Sequence, residues 1–393
     1  MKRRNFLMSA SAILGSTILA ACGGGGSDPT KPNATTPNAG GAAVPASAAS
    51  GATVPASPSQ AATGAPSTPA QSNTDGSPAN PTQATKRIFY GMNGHYDYTY
   101  SPDQVISMLT AIGCTTYRLA VEDFGNSLTA VTNMAKAFQN TGMTLFVCID
   151  PNVVDANGKL WASEQAAYNE GYNWGSTAAK ALSPYGVTMY ECGNELTRRP
   201  QIIVDSTTAG NKASDFNNAN WPIMRGLMLG MMAGVKAIQP SAKCGINFCV
   251  ADIGASDALW NGMQPDGSSG HPVVKWDITT WHNYQVYGDI FNIGTDGAGP
   301  GFDLPAYCKA KYGVPFMLTE WNANPEVTQD ARAAYITQKM TSYYANRKAD
   351  NIDSIMYYDL DSGNTQWGLV INGVPNTLPY NAMKNFIASN PDS

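Results

Sequence analysis

Two glutamates stand where a packed core has no use for them. Val187 and Met189 belong to a short apolar segment that runs into Tyr190-Glu191-Cys192-Gly193-Asn194-Glu195-Leu196, and a second such segment, Pro315-Phe316-Met317-Leu318-Thr319-Glu320-Trp321-Asn322, also closes on a carboxylate. Burying an ionised side chain without partners is costly, so an acid at the end of an apolar strand asks for a functional reason. A pair of them suits cleavage of a glycosidic bond: one carboxyl protonates the departing oxygen while the other attacks the anomeric carbon or activates a water. Glu195 and Glu320 are 125 residues apart along the chain. Only a fold that gathers distant strand ends opens that chemistry to them.

From Lys86 onward, short apolar strands alternate with amphipathic helices, the pattern of a parallel α/β fold. Strands are expected at 87–92, 114–121, 143–149, in the segment ending at Glu195, and at 243–250, 278–281, 315–322 and 353–358. Between them, Ser101-Pro102-Asp103 reads as a cap followed by Pro in a first helical turn. Further helices are expected over 127–141, 163–182 and 328–349, with another capped by Asn220, whose stripe of Met224, Leu227, Met228, Met231 and Val235 reads as core. Eight strand–helix units in this length predict a (β/α)8 TIM barrel, one catalytic domain over 86–393, in which the strand ends share one face and catalytic groups collect there.

The strand-end residues then form a pattern. Asn194-Glu195 after the fourth strand, His282-Asn283-Tyr284 after the sixth and Thr319-Glu320-Trp321-Asn322 at the end of the seventh resemble the clan A retaining glycoside hydrolases. The form is most similar to family 39, with families 5, 51 and 79 also similar, over about 86–387. The resemblance implies Glu195 as general acid/base, kept protonated by its surroundings, and Glu320 as nucleophile. It implies Arg118 and Tyr284 as the groups that keep Glu320 ionised, Asn194 as the partner of the sugar 2-hydroxyl, and Trp367 as an aromatic face against the sugar. His95, His282 and Trp321 join them as substrate contacts. A polysaccharide substrate, an exopolysaccharide or a β-glycan, is implied, with no cofactor. One departure stands out: most members carry Pro after Asn-Glu, and this chain carries Leu196. Plainer readings remain open. Glu195 could pair with Arg198 or Arg199, Glu320 could cap the next segment, His282 and Trp367 could be packing, and Glu191 reads as making a structural hydrogen bond or ion pair inside the barrel. The rival functions are a non-catalytic carbohydrate-binding lipoprotein on a degenerate barrel, and an inverting hydrolase.

The amino terminus has a different task. Lys2-Arg3-Arg4-Asn5-Phe6-Leu7 precedes an apolar run over 10–21 that is too short to span a bilayer, an export signal with the twin-arginine pattern. Leu19-Ala20-Ala21-Cys22 resembles a lipobox, which makes Cys22 the expected site of lipid attachment and the bacterial cell envelope the expected location. Residues 22–85 are Ala, Pro, Ser, Thr and Gly with almost no large apolar side chain, a composition that cannot offset its ordering entropy, so a tether with a reach on the order of 40 Å is expected. Loss of Lys2, Arg3 and Arg4 takes the formal net charge from −5 to −8, which leaves no electrostatic case for a nucleic-acid partner. Cys114, Cys148, Cys192, Cys244, Cys249 and Cys308 are expected to be free or joined by one bridge at most. The three histidines, His95, His271 and His282, are too scattered for a zinc site, and a monomer is expected.

Overall fold

Eight parallel strands follow one another around a closed barrel in chain order: β1 (Tyr90–Asn93), β2 (Thr116–Val121), β3 (Thr144–Ile149), β4 (Met189–Cys192), β5 (Lys243–Cys249), β6 (Ile278–His282), β7 (Phe316–Trp321) and β8 (Ile352–Tyr357). The circle closes where β1 pairs with β8, Tyr90 opposite Ile355 and Met92 opposite Tyr357. This computed structural model describes residues 87–294, 301–364 and 366–392. The export signal, Cys22 and the Ala/Pro-rich segment lie outside them. Helices α1 (Pro102–Ile112), α2 (Asn126–Phe138), α3 (Glu164–Leu182), α4 (Trp221–Ile238), α5 (Ile253–Asn261), α6 (Leu304–Tyr312), α7 (Gln329–Asn346) and α8 (Thr377–Ser389) surround the barrel, and a small hairpin, β9 (Val370–Ile371) with β10 (Val374–Pro375), follows β8. The expected TIM barrel is the observed one.

Local chemistry sets the element ends. The Ser101 side chain accepts the Gln104 N–H while the Gln104 side chain accepts the Ser101 N–H, a reciprocal cap at the start of α1. Ser163, Asp303 and Thr328 cap α3, α6 and α7 in the simpler way. Asn220 does sit at the start of α4, but its side chain donates to the Gln201 carbonyl instead of capping. Helices α5 and α8 and the hairpin had not been anticipated: α5 is nine residues long, with Gly and Ala in place of a clear apolar stripe.

Inside the barrel, Phe146, Ile278, Met317 and Met356 form a small apolar cluster separate from the main core, which lies between strands and helices. Strict alternation along β7 would put Met317 and Thr319 inward and Leu318 and Glu320 outward. The pairing of β7 with β8 shifts register between Leu318 and Trp321. That irregularity turns Glu320 toward the interior and Trp321 toward the helices.

Helices α3 and α4 pack far closer than side chains normally allow. Gly226, Gly230 and Gly234 of α4 face the backbone of α3, and Gly171 and Gly175 of α3 face the backbone of α4; a Cβ at any of them would run into a carbonyl oxygen. Alanine in a helix interior is normally favoured over glycine by about 1 kcal/mol. Here the sign reverses, because backbone cannot yield as a side chain does. Gly230→Ala should therefore destabilise the fold by about 2 kcal/mol, read from denaturant unfolding. A neutral or stabilising effect would show that the helices are not in backbone contact.

Candidate active site

Arg118 reaches β1, β4 and β7 at once, which a side chain on β2 can do only from inside the barrel. Its Nε donates to Glu191 Oε2 at 2.7 Å, its Nη1 to Asn93 Oδ1 at 2.9 Å and to Glu320 Oε1 at 2.8 Å, and its Nη2 to Asn194 Oδ1 at 2.7 Å. Glu191 also accepts from Thr319 Oγ1 at 2.9 Å and from Asn247 Nδ2 at 3.3 Å. Burial works against the ionised form of Glu191, but Arg118 and His282 outweigh it and hold this carboxyl below the usual range. Glu191 is 0% exposed, whereas Glu195 and Glu320 are 6% and 7% exposed. Glu191 is thus the structural counter-ion expected from the sequence, and the other two acids are the ones a ligand can meet.

Glu195 lies three residues beyond β4, on a turn made by backbone of unusual shape. Gly193 has φ 102° and Glu195 has φ 48° and ψ 40°, both in the left-handed region. The Glu195 N–H donates to Asn247 Oδ1 at 2.8 Å, the Asn194 N–H to Asp150 Oδ1 at 3.2 Å, and Arg199 Nη2 donates to the Asn194 carbonyl at 3.2 Å and to Asp150 Oδ1 at 3.0 Å. The buried Leu196 side chain folds back to where a Cβ on Gly193 would stand. This explains the absent proline. A residue that precedes Pro is driven toward extended backbone, which Glu195 does not adopt. The stiffness that Pro gives elsewhere comes here from Asn247, Asp150 and Arg199. Arg198 points away, to Asp252 and to the Thr208 and Ala209 carbonyls, and pins the 197–219 segment to α5.

His282 ends β6 between the two acids. Its Nδ1 is 2.7 Å from Glu195 Oε1, and its Nε2 is 3.5 Å from Glu320 Oε1. Glu320 Oε2 accepts the Tyr284 phenol at 2.5 Å. Burial, reinforced by the charge of Glu320, raises the Tyr284 phenol well above its ordinary value, so it stays a donor. Both oxygens of Glu320 are therefore engaged by donors, Arg118 on one and Tyr284 on the other.

One wall of the site is aromatic. Trp367, half-buried, stands edge to face with Tyr284 at 5.7 Å and with Tyr358 at 6.0 Å between ring centroids. Its backbone carbonyl accepts from Asn322 Nδ2 at 3.1 Å, while Asn322 Oδ1 accepts from Arg332 Nη1 at 2.6 Å and from the Tyr357 phenol at 2.8 Å. Asp361 ties the same loop to the β1–α1 connection, accepting the Tyr100 phenol at 2.5 Å and the N–H groups of Gly363 at 2.7 Å and Gly373 at 2.9 Å. His95, its side chain 40% exposed, lies on the rim with Nε2 3.0 Å from Asp359 Oδ2.

Two expected sugar contacts move to other tasks. Trp321 is fully buried, edge-on to Tyr343 at 5.4 Å and Tyr357 at 5.1 Å, and belongs to the layer between barrel and helices. The register shift in β7 that turns Glu320 inward is what turns it out. His282 is fully buried too and touches the carboxylates instead of the cleft. Asn322, Asn247, Asp150 and Asp361 were missed. Their bonds run to partners as much as 261 positions away, and a spacing pattern carries no trace of those. The only available signal was the place of Asn322 in Thr-Glu-Trp-Asn. The six cysteines Cys114, Cys148, Cys192, Cys244, Cys249 and Cys308 are free and buried.

Sequence comparison matches the chain to no protein family and to no curated relative. Solved structures share its fold. The GH53 catalytic domain of Ignisphaera aggregans superposes with a TM-score of 0.54 at 16% identity over 78% of this chain and 98% of its own. The β-glycosidase of Thermosphaera aggregans gives a TM-score of 0.56 at 12% identity over 78% and 96%. A family 39 glycoside hydrolase of Bacteroides cellulosilyticus gives 0.51 at 14% identity over 77% of this chain; the match spans 63% of that longer protein.

The left-handed turn makes a directed prediction. Leu196→Pro, which restores the residue usual after Asn-Glu, should lower activity on the order of tenfold more than Leu196→Ala does, because it forces Glu195 off its backbone conformation. Steady-state kinetics of the two variants decide it. A proline variant as active as wild type would show that the turn is not what holds Glu195.

Proposed function

We propose that the chain is a retaining β-glycosidase of the family 39 type, acting on a polysaccharide outside the cytoplasm. The observation that supports this most is that Glu195 and Glu320, from β4 and β7, both lie against the single ring of His282 at the barrel mouth, each with an edge open to the cleft. A single imidazole in contact with both carboxyls gathers them at one cleft, and the Asn194-Glu195 and Thr319-Glu320 pattern that resembles the clan A retaining enzymes favours a double displacement.

In this reading Glu320, hydrogen-bonded by Arg118 and Tyr284, attacks the anomeric carbon as Glu195 protonates the departing oxygen. A glycosyl ester on Glu320 results. Glu195 then takes a proton from the water that displaces the ester and returns both groups to their starting state. Asn194, whose amide oxygen accepts from Arg118, presents its Nδ2 to the sugar 2-hydroxyl in this reading. Trp367 offers its ring to the apolar C–H face of the sugar, as aromatic side chains do for pyranoses. The lipobox at Cys22 and the segment that follows favour an enzyme held to the cell envelope and a polymer close by, such as an exopolysaccharide; in cell fractionation, Cys22→Ser should then move the protein out of the membrane fraction.

Glu320→Gln and Glu195→Gln should each cut hydrolysis of β-glycans by at least about 1000-fold with unchanged thermal unfolding. Azide should restore turnover of an activated aryl glycoside in Glu320→Gly with inverted product, and in Glu195→Ala with retained product. Glycan binding without turnover by the wild type, unaffected by either Gln variant, would favour a carbohydrate-binding protein instead.

A further inference from the structure

An amide side chain can bring its donor to a ligand only where nothing lets it turn round. For Asn194 the chemistry fixes the direction: guanidinium nitrogens only donate, so the atom that Arg118 Nη2 meets at 2.7 Å is Oδ1, and the other end of the amide is the donor Nδ2. The backbone that carries this side chain is less secure by itself. It lies between Gly193 at φ 102° and Glu195 at φ 48°, and left-handed backbone is disfavoured at any residue with a Cβ, so the stretch holds its shape only if groups outside it hold it.

Asp150 and Arg199 are those groups. Asp150 Oδ1 accepts the Asn194 N–H at 3.2 Å, Arg199 Nη2 donates to the Asn194 carbonyl at 3.2 Å, and the same Nη2 donates to both Asp150 oxygens, at 3.0 and 3.1 Å. The three residues thus close a ring of hydrogen bonds in which the N–H and the carbonyl of Asn194 are both engaged. Its anchor is rigid: Asp150 directly follows β3, its own N–H donates to the Val121 carbonyl at the end of β2, and the Gly193 N–H donates to the Ile149 carbonyl. Glu195 has supports of its own, its N–H on Asn247 Oδ1 of β5 at 2.8 Å and its carboxyl against His282 Nδ1 at 2.7 Å. Resting on the glycosidase reading above, we propose that the Asp150–Arg199 pair is a positioning device for Asn194: it sets where Nδ2 meets the sugar 2-hydroxyl, and it serves that contact, not the proton transfers at Glu195. The pair acts through Asn194 alone.

The 2-hydroxyl can be removed from the substrate as well as its partner from the protein, and this separates aiming from general support. Asp150→Ala should lower kcat/KM about 30-fold on aryl β-glycosides that carry a 2-hydroxyl, and less than about threefold on the matching 2-deoxy glycosides. Arg199→Gln opens the same ring from the loop and leaves β3 untouched; it should give the same pattern, and it decides the matter if Asp150→Ala does not fold. In an Asn194→Ala background, where no Nδ2 remains to be aimed, Asp150→Ala should cost less than about threefold on either substrate. Equal losses on both substrates, full additivity with Asn194→Ala, or no loss in either single variant would overturn the inference and leave the glycosidase reading intact. Absence of turnover of every glycoside by the wild type would remove that reading itself.

Discussion

A guanidinium sealed inside a barrel must find its own counter-charge, and the Arg118–Glu191 pair settles that need. Breaking such a pair on one side leaves an unpaired buried charge, at a cost of about 3 to 5 kcal/mol. Everything at the mouth is arranged around this interaction. Arg118 has three further acceptors to satisfy, Asn93, Asn194 and Glu320, and each belongs to a different strand end. The pair thus fixes the relative positions of β1, β2, β4 and β7 on the inside, and through Asn194 it sets the start of the turn that carries Glu195.

The three glutamates show how environment, not residue type, divides roles. Glu191 is enclosed, hydrogen-bonded by Thr319 and Asn247 and matched to Arg118; it is a fixed charge. Glu320 shares Arg118 but keeps an edge in the cleft, with Tyr284 on its second oxygen. Glu195 meets the imidazole of His282, whose other nitrogen faces Glu320. The three acids thus differ in what holds them: an ion pair for Glu191, an imidazole for Glu195, and a guanidinium with a phenol for Glu320.

Much of this was legible in the sequence, because the signals were local. The strand periodicity, the cap at Ser101 and the acid at the end of each of β4 and β7 are each read from a few neighbouring residues, and they predict the barrel and its mouth; the contacts of Arg118 and Tyr284 with Glu320 are what the resemblance to the clan A enzymes implies. What failed was local alternation where the backbone breaks it. Trp321 reads as a site residue beside Glu320, but the register shift in β7 sends the two side chains to opposite faces. The places of Asn322, Asp361 and Asn247 depend on loops meeting across the barrel mouth, which no spacing rule encodes. Leu196 looked like a defect in a motif. In the structure it is the residue that a left-handed Glu195 permits.

The central claim is that a covalent sugar intermediate forms on one named carboxylate. Incubation with 2-deoxy-2-fluoro glycosyl fluorides of several sugars, followed by peptide mass analysis, tests it directly: the slow intermediate should accumulate as one sugar added to the peptide containing Glu320, and only there. A label on Glu195 or Glu191, or turnover of such a reagent with inversion and no label at all, would contradict it.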